Sequence, residues 1–307
     1  MKNLTRKDFL RIAGFGGAAS LMAPSLAFRR AAEKFGIGAT FILWGYGADN
    51  LEPALEDMSK LGFHAFETFG QVIEEWEKNR GGFSKVVEKH GVPIVSAYCW
   101  ADVVDPSKRK EETEKLTRWA KLLKQSGGKL IEFGCANVDR DGYDYREHKN
   151  NILESMNTFA KAVTDQGLVF ALHPHTGTAI ESQEEVYFAM ENADTRYVKF
   201  GPDSGQLQKG GADYLKIFSD FMPLIEHVHL KDYEGGDNGW LGYCPLGRGK
   251  QEVEKLLNML VDNKDEMAGK IMYEQDYDGR IEGRFTNYES AKISRDYLSK
   301  LGYEFKG

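Results

Sequence analysis

The chain of 307 residues has few cysteines. Cys99, Cys135 and Cys244 cannot build a disulfide framework, and each reads as a small buried apolar group or a reactive thiol. Positive charge is also in deficit: 40 basic residues stand against 47 acidic ones, a net charge of −7. That balance argues against a nucleic-acid partner, whose phosphates need a basic face. There is no low-complexity tract that would suggest disorder. No Gly-rich phosphate loop follows the first predicted strand, which disfavours a doubly wound nucleotide-binding sheet. What is present, 41% hydrophobic and 12% aromatic residues, supports a large core in one α/β domain or two small ones.

The first residues read as a targeting segment rather than as fold. Thr5-Arg6-Lys7-Asp8-Phe9-Leu10-Arg11 is a basic head, Ile12 to Ala23 a short Gly/Ala-rich apolar run, and Ser25-Leu26-Ala27 a small-x-small cleavage site. The apolar run is too short to span a membrane. Thr-Arg-Lys-x-Phe-Leu is similar to a twin-arginine signal with Lys7 in place of the second arginine. The expectation is an export signal at residues 1–27, a periplasmic location, and no stable membrane insertion once the signal is removed. Residues 1–27 carry four basic residues against Asp8, so their removal makes the remainder more acidic by three charges.

Beyond the signal the chain alternates between two periods. Strand-like runs are expected at 37–44, 63–69, 92–98, 129–134, 168–173, 197–203, 226–230 and 270–274. Helical spacing is expected at 50–61, 72–90, 106–125, 147–163, 181–190, 214–221, 253–261 and 288–301, with Gly81-Gly82 splitting the second. Gly62, Gly91, Gly127-Gly128 and Gly167 fall where helices should close. Eight strands, each followed by a helix, predict a single (β/α)8 TIM barrel over residues 28–307.

His227-Val-His229-Leu-Lys231-Asp232 alternates strictly, so His227, His229 and Lys231 share one face of a strand. Three other stretches end in matching chemistry: Leu172-His173-Pro174-His175-Thr176-Gly177-Thr178, Gly201-Pro202-Asp203-Ser204-Gly205-Gln206 and Met272-Tyr273-Glu274-Gln275-Asp276. In a barrel these strand ends converge on one mouth, with Glu67 and Glu132. His173, Asp203, His229 and Glu274 are two imidazoles and two carboxylates. They suit one divalent ion of the Mn, Zn, Co or Fe kind, and Mg less well. Such an ion binds a hydroxyl–carbonyl pair and stabilises an enediolate, while an adjacent carboxylate, Glu274, moves the proton.

These motifs resemble the sugar isomerase/epimerase superfamily, the xylose-isomerase-like barrels. His-Pro-His-x-Gly-Thr at 173–178 is closer still to the inosose (2-keto-myo-inositol) dehydratase branch. The resemblance implies metal ligands at Asp203, His229 and Glu274, with His173 where the epimerases carry a glutamate. Those epimerases use paired glutamates as bases on the two faces of the sugar. The superfamily therefore points to an isomerase or epimerase of a neutral keto-sugar or cyclitol, and the substituted ligand toward a lyase, dehydratase or hydratase of the inosose or 3-keto-glycoside type. A non-catalytic sugar-binding barrel is a further alternative. A relative of the barrel-type AP endonucleases is opposed by the acidic charge.

Other residues have two readings each. Glu132 is a second base or a group that holds a ligand, or else a salt-bridged mouth carboxylate. His175 donates to a substrate hydroxyl or orients a neighbour. Lys231 serves as acid or oxygen binder, or pairs with Asp232 or Asp203. His227 reads as packed or supporting. Gln206 sits where the epimerases carry a substrate-binding histidine, and Glu67 is a candidate substrate contact. Trp44 and Trp100 end strands where aromatics wall a sugar pocket or plug a barrel. The Gly-rich loop from Tyr233 to Lys250, with Trp240 and Arg248, reads as a lid, and Arg248 would meet a negative substrate group. The expected partner is a small sugar or cyclitol, and a homo-oligomer is left open.

Overall fold

A computed structural model describes residues 35–236, 242–264, 267, 269–276 and 285–307. The expected export signal and Trp240 lie outside the described residues. The strands are β1 (Ile37–Thr40), β2 (Phe66–Phe69), β3 (Ile94–Ala101), β4 (Leu130–Cys135), β5 (Val169–His173), β6 (Val198–Phe200), β7 (Val228–Leu230), β8 (Asp232–Tyr233), β9 (Tyr243–Cys244) and β10 (Ile271–Tyr273). The helices are α1 (Leu51–Leu61), α2 (Gly70–Asn79), α3 (Phe83–His90), α4 (Arg109–Gln125), α5 (Tyr145–Thr164), α6 (Gln183–Asn192), α7 (Ser204–Lys209), α8 (Tyr214–Asp220), α9 (Val253–Asn263) and α10 (Asn287–Lys300).

Eight parallel strands pair in the order β6-β5-β4-β3-β2-β1-β10-β7. The remaining seam, between β7 and β6, is joined by bridges Phe200–Ile225 and Asp203–His229. Main-chain bonds Glu226 N–H to Phe200 O (2.9 Å) and His229 N–H to Pro202 O (3.1 Å) run along it. The expected TIM barrel is therefore observed. Its helices bury the anticipated stripes: Leu51, Leu55, Met58 and Leu61 on α1, and Ile152, Met156, Phe159 and Val163 on α5. Gly62 and Gly91 close α1 and α3 in the left-handed region, where a side chain would be strained. No helix among the described residues is long and apolar enough to cross a membrane.

Three local expectations fail. The first strand stops at Thr40, and Phe41–Trp44 is a 3-10 turn. Pairing with β2 ends at Thr40–Glu67, and the Trp44 indole N–H donates to Asp57 on α1 at 2.9 Å. That bond draws Trp44 out of the sheet and into the core, so it does not wall the mouth. Next, β6 is only three residues long, because Asp203 caps the unanticipated α7, accepting from Gly205 N–H (2.7 Å) and Gln206 N–H (2.8 Å). Finally, the loop after β7 contains an antiparallel pair, β8 with β9. Asp232 does not pair with Lys231. It accepts main-chain N–H bonds from Gly247 and Gly249 (2.9 Å each) and Gln251 (3.1 Å), pinning that loop to the strand end.

Outside the barrel, Glu74 of α2 ties down α4. It accepts from the Trp119 indole (2.8 Å), Arg118 Nε (2.9 Å) and Lys78 (2.6 Å). Burial opposes its ionisation, but these donors offset that and hold its pKa at about 2. Glu74→Gln should cost about 1 kcal/mol at pH 7 by urea unfolding. The folded pKa is depressed, so this contribution exists above the ordinary carboxylate range. The gap to wild type should close as pH falls toward 2.

Candidate active site

Lys231 follows β7 and its side chain is fully buried. An ammonium without water is costly unless carboxylates surround it. Three do: Asp203 Oδ2 at 2.8 Å, Glu274 Oε1 at 2.7 Å and Asp276 Oδ2 at 2.8 Å. Burial lowers the tendency of Lys231 to hold its proton, but the charges of Asp203, Asp276 and Glu274 outweigh that and keep it a cation.

His229, one pleat earlier, lies among three carboxylates. Nδ1 is 3.0 Å from Glu274 Oε2 and 3.9 Å from Asp203 Oδ2, and Nε2 is 2.8 Å from Glu67 Oε1. The second oxygen of Glu67 accepts from Ser96 Oγ (2.6 Å) and meets His227 Nε2 (2.9 Å). Burial resists ionisation of Glu67, but His229 and His227 hold its pKa near 2. Both oxygens of Glu67 are thus committed within the barrel interior. It lines the cavity and holds His229 by its far nitrogen.

Across the mouth, His173 Nδ1 meets Glu132 Oε1 at 3.0 Å. Burial, reinforced by the charge of His229, keeps His173 neutral. Burial also pushes the Glu132 carboxyl well above its usual range, despite the opposing charge of His229. A Cβ at Gly201, just beyond β6, would collide with this carboxylate, so the reach of Glu132 from β4 requires glycine there. His175 Nδ1 bonds Thr176 O at 2.7 Å, and burial lowers its pKa to about 4. His173, His175, His229, Glu274, Asp276, Glu67 and Trp100 line one cavity of about 280 Å³.

Glu132, Asp203 and Lys231 are buried behind this lining, Trp44 is in the core, and two further candidates also lie off it. Arg248 is exposed and lies outside the lining of this cavity, on a loop turned toward Pro245 and Phe285. Gln206 is buried behind the wall, where it accepts from Thr176 Oγ1 (2.6 Å) and donates to Asp276 (3.3 Å). Asp276 is the functional candidate that the sequence reading passed over. Its signal was present, since it follows Glu274 at the same two-residue parity that links His227, His229 and Lys231.

The donor set fits a divalent ion. Ligand atoms of Asp203, His229 and Glu274 lie within 4.8 Å of one another. His173 does not join that trio; it groups with Glu132 and His229. Asp203 Oδ2, both ring nitrogens of His229 and Lys231 Nζ are buried with no well-aligned hydrogen bond, despite their short ion-pair distances. Burial raises the pKa values of Asp203 and Asp276, with Lys231 opposing and Glu274 adding repulsion. Glu274 and Glu67 outweigh burial to hold a proton on His229. A cluster that must retain protons to balance its carboxylates is one that a cation would relieve.

A parallel barrel with its ionisable groups gathered where the strands end has the layout of a barrel enzyme. Residues 55–300 match the xylose isomerase-like TIM barrel family, and the chain belongs to it. An inosose dehydratase of Bacillus thuringiensis (strain Al Hakam) is 26% identical over 204 residues, covering 61% of this chain and 65% of the relative. The chain thus spans just under two thirds of the length of that relative. Among solved structures, a probable 3-DHS dehydratase from Bacillus anthracis aligns with TM-score 0.71 and 13% identity over 86% of this chain and 99% of that one. The 3-keto-D-glucoside 4-epimerase from E. coli aligns with TM-score 0.62 and 19% identity over 87% and 99%. At such identities the structural likeness speaks for the fold alone.

Two outcomes follow from this geometry. Glu67→Gln offers His229 an amide instead of an anion, so zinc affinity should fall about 10- to 100-fold in a chelator competition, with the thermal midpoint retained. Zinc uptake at pH 7 should release about one proton, because His229 must give up the proton its carboxylates favour. Calorimetry in two buffers of different ionisation enthalpy reads that release directly.

Proposed function

We propose that this chain is a divalent-metal-dependent enzyme that deprotonates the carbon beside the ketone of a neutral keto-sugar or cyclitol. The observation that carries this reading is Glu274. Its carboxylate lines the cavity and is held ionised by His229 and Lys231, which outweigh burial. It is thus a base beside the groups that would hold the ion. A bound divalent ion, held by Asp203, His229 and Glu274 with His173 nearby, would polarise the ketone and fix the neighbouring hydroxyl. Glu274 takes the proton as the C–H bond breaks and the electron pair passes toward the ketone oxygen. Lys231 balances the charges of Asp203, Glu274 and Asp276 throughout.

The enediolate has two fates. Reprotonation on the opposite face gives an epimer, and loss of the next hydroxyl gives a dehydrated product. We favour dehydration. Epimerisation needs a second base, whereas the fifth strand here presents His173, a neutral imidazole backed by Glu132, whose carboxyl burial pushes well above its usual range. That pair is suited to delivering a proton to a departing hydroxyl, which leaves as water. Similarity to an inosose dehydratase supports this choice. The second reading is an epimerase, supported by the membership of the xylose isomerase-like family and by the carboxylate base Glu274.

Incubation with inososes and keto-glucosides in deuterated water, with Mn, Zn or Co added, separates the two by mass. Dehydration should remove one water from the substrate, whereas epimerisation keeps the atoms of the substrate and raises its mass by about one unit as a carbon-bound hydrogen is replaced by deuterium. No exchange at any carbon, with metal bound, would favour a sugar-binding barrel. Glu274→Gln should lower turnover by about 10²- to 10⁴-fold with the fold retained. We also propose export through the twin-arginine-like segment, supported by its basic head, apolar run and small-residue site. A mature N-terminus near residue 28 in a periplasmic fraction is the expected result; retention of Met1 in the cytoplasm would refute it.

A further inference from the structure

Thr40 lacks the bond that its position in the chain would give it. It ends β1 and stands just before the 3-10 turn Phe41–Trp44, in the extended conformation of a capping residue, yet its side chain makes no capping bond. A threonine so placed ordinarily accepts from an N–H of the turn it precedes. Thr40 pairs with Glu67 on β2, and the neighbouring pair Ala39–Tyr273 sets it level with Glu274 at the end of β10. Side chains level with one another on adjacent strands share a face, so Thr40 stands between these two carboxylates. Neither accepts from it. The oxygens of Glu67 are held by Ser96, His227 and His229, and those of Glu274 by Lys231 and His229.

The Thr40 hydroxyl is therefore buried without a hydrogen-bond partner, in a residue that is 4% exposed and lines the active cavity. Gln71, at the start of α2, lines the same cavity, and its side-chain oxygen is also buried with no partner. A buried polar group left unmet is costly, and folded proteins hold few of them. For packing alone, valine at 40 and leucine at 71 would serve better. A change of staggered well exchanges the hydroxyl and methyl of Thr40, so its oxygen can turn to a ligand at the wall. The Gln71 oxygen accepts, so it asks for a donor. Both groups are neutral. Hydroxyls, which donate and accept without charge, answer both.

We propose that Thr40 and Gln71 determine specificity by holding two free hydroxyls on the edge of the substrate ring that faces β1 and β2. A ring that lacks either hydroxyl on that edge is discriminated against. This rests on the keto-sugar or cyclitol chemistry proposed above, and measuring binding apart from turnover separates the two. The probes are myo-inositol and methyl β-glucoside, which have no ketone and so bind without reacting, each with its single-deoxy analogues. Affinities for the zinc-loaded full chain are read by titration calorimetry, and thermal midpoints on the same protein without probe. Turnover of inososes and keto-glucosides is followed in parallel by mass.

In the wild type, one single-deoxy analogue should bind about tenfold more weakly than its parent for want of a hydroxyl at Thr40. Thr40→Val should weaken the parent by about tenfold and become indifferent to that one deletion, while the other deletions cost what they cost in the wild type. Gln71→Leu should do the same for a different hydroxyl. The Thr40→Val protein should melt no lower than the wild type, because valine fills the same space and leaves no hydroxyl unmet. A lower midpoint with every probe weakened alike would assign Thr40 to structure and overturn the inference. Identical deletion profiles in wild type and variants would overturn it too, and so would a failure of both parents to bind. If those profiles are identical while an inosose or keto-glucoside is turned over, the inference falls and the proposed reaction stands. If the profiles change as expected while none is turned over, the two residues keep their role and the proposed reaction falls.

Discussion

The site depends on one buried ammonium. Lys231 has no contact with water, and it exists as a cation because Asp203, Glu274 and Asp276 each lie within 2.8 Å. Those carboxylates come from the ends of β6 and β10, the strands that flank β7 in the barrel, so a single charge joins three neighbouring strand ends. The arrangement adds little to stability in itself, since well-packed apolar groups of similar volume would serve as well. Removing one member would leave the others buried and uncompensated. Such a cluster makes physical sense where carboxylates must be kept ionised at a fixed spacing, which is what a metal centre and a base require.

The rest of the mouth is arranged about that charge. Glu67 crosses the barrel interior from β2 to hold His229 by its far nitrogen, with Ser96 and His227 completing its contacts. Barrel interiors are normally filled by branched apolar side chains. A carboxylate, a hydroxyl and two imidazoles there amount to stability given up for orientation. On the other side the wall is aromatic, and the pocket between has one face that handles protons and one that handles hydrocarbon surface. Carbohydrates present both kinds of surface.

Much of the fold was legible because local periodicity survives in it. The eight strands, the split of the second helix at Gly81-Gly82 and the apolar stripes of α1 and α5 all follow from spacing alone. The strand ends carrying His173, Asp203, His229 and Glu274 were readable for the same reason. Elements shorter than about two turns were not. The six residues of α7 carry no apolar stripe to betray them, and Asp203 as their cap is visible only once the chain turns. Trp44 read as a mouth aromatic because it ends an apolar run, yet its bond to Asp57 takes it into the core.

By itself, then, the sequence determined the barrel and the set of strand ends that carry titratable groups, since a period of two or 3.6 assigns each side chain to a face. Only the tertiary structure decided which of those groups meet. It gave Lys231 to Asp203, Glu274 and Asp276 instead of Asp232, and backed His173 with Glu132 instead of joining it to the Asp203–His229–Glu274 trio. It also sent Arg248 away from the cavity and brought Tyr46 to its rim. Those pairings depend on how far one strand is staggered against the next and where each loop returns. Both are set by packing between residues far apart in the chain, which no local pattern records.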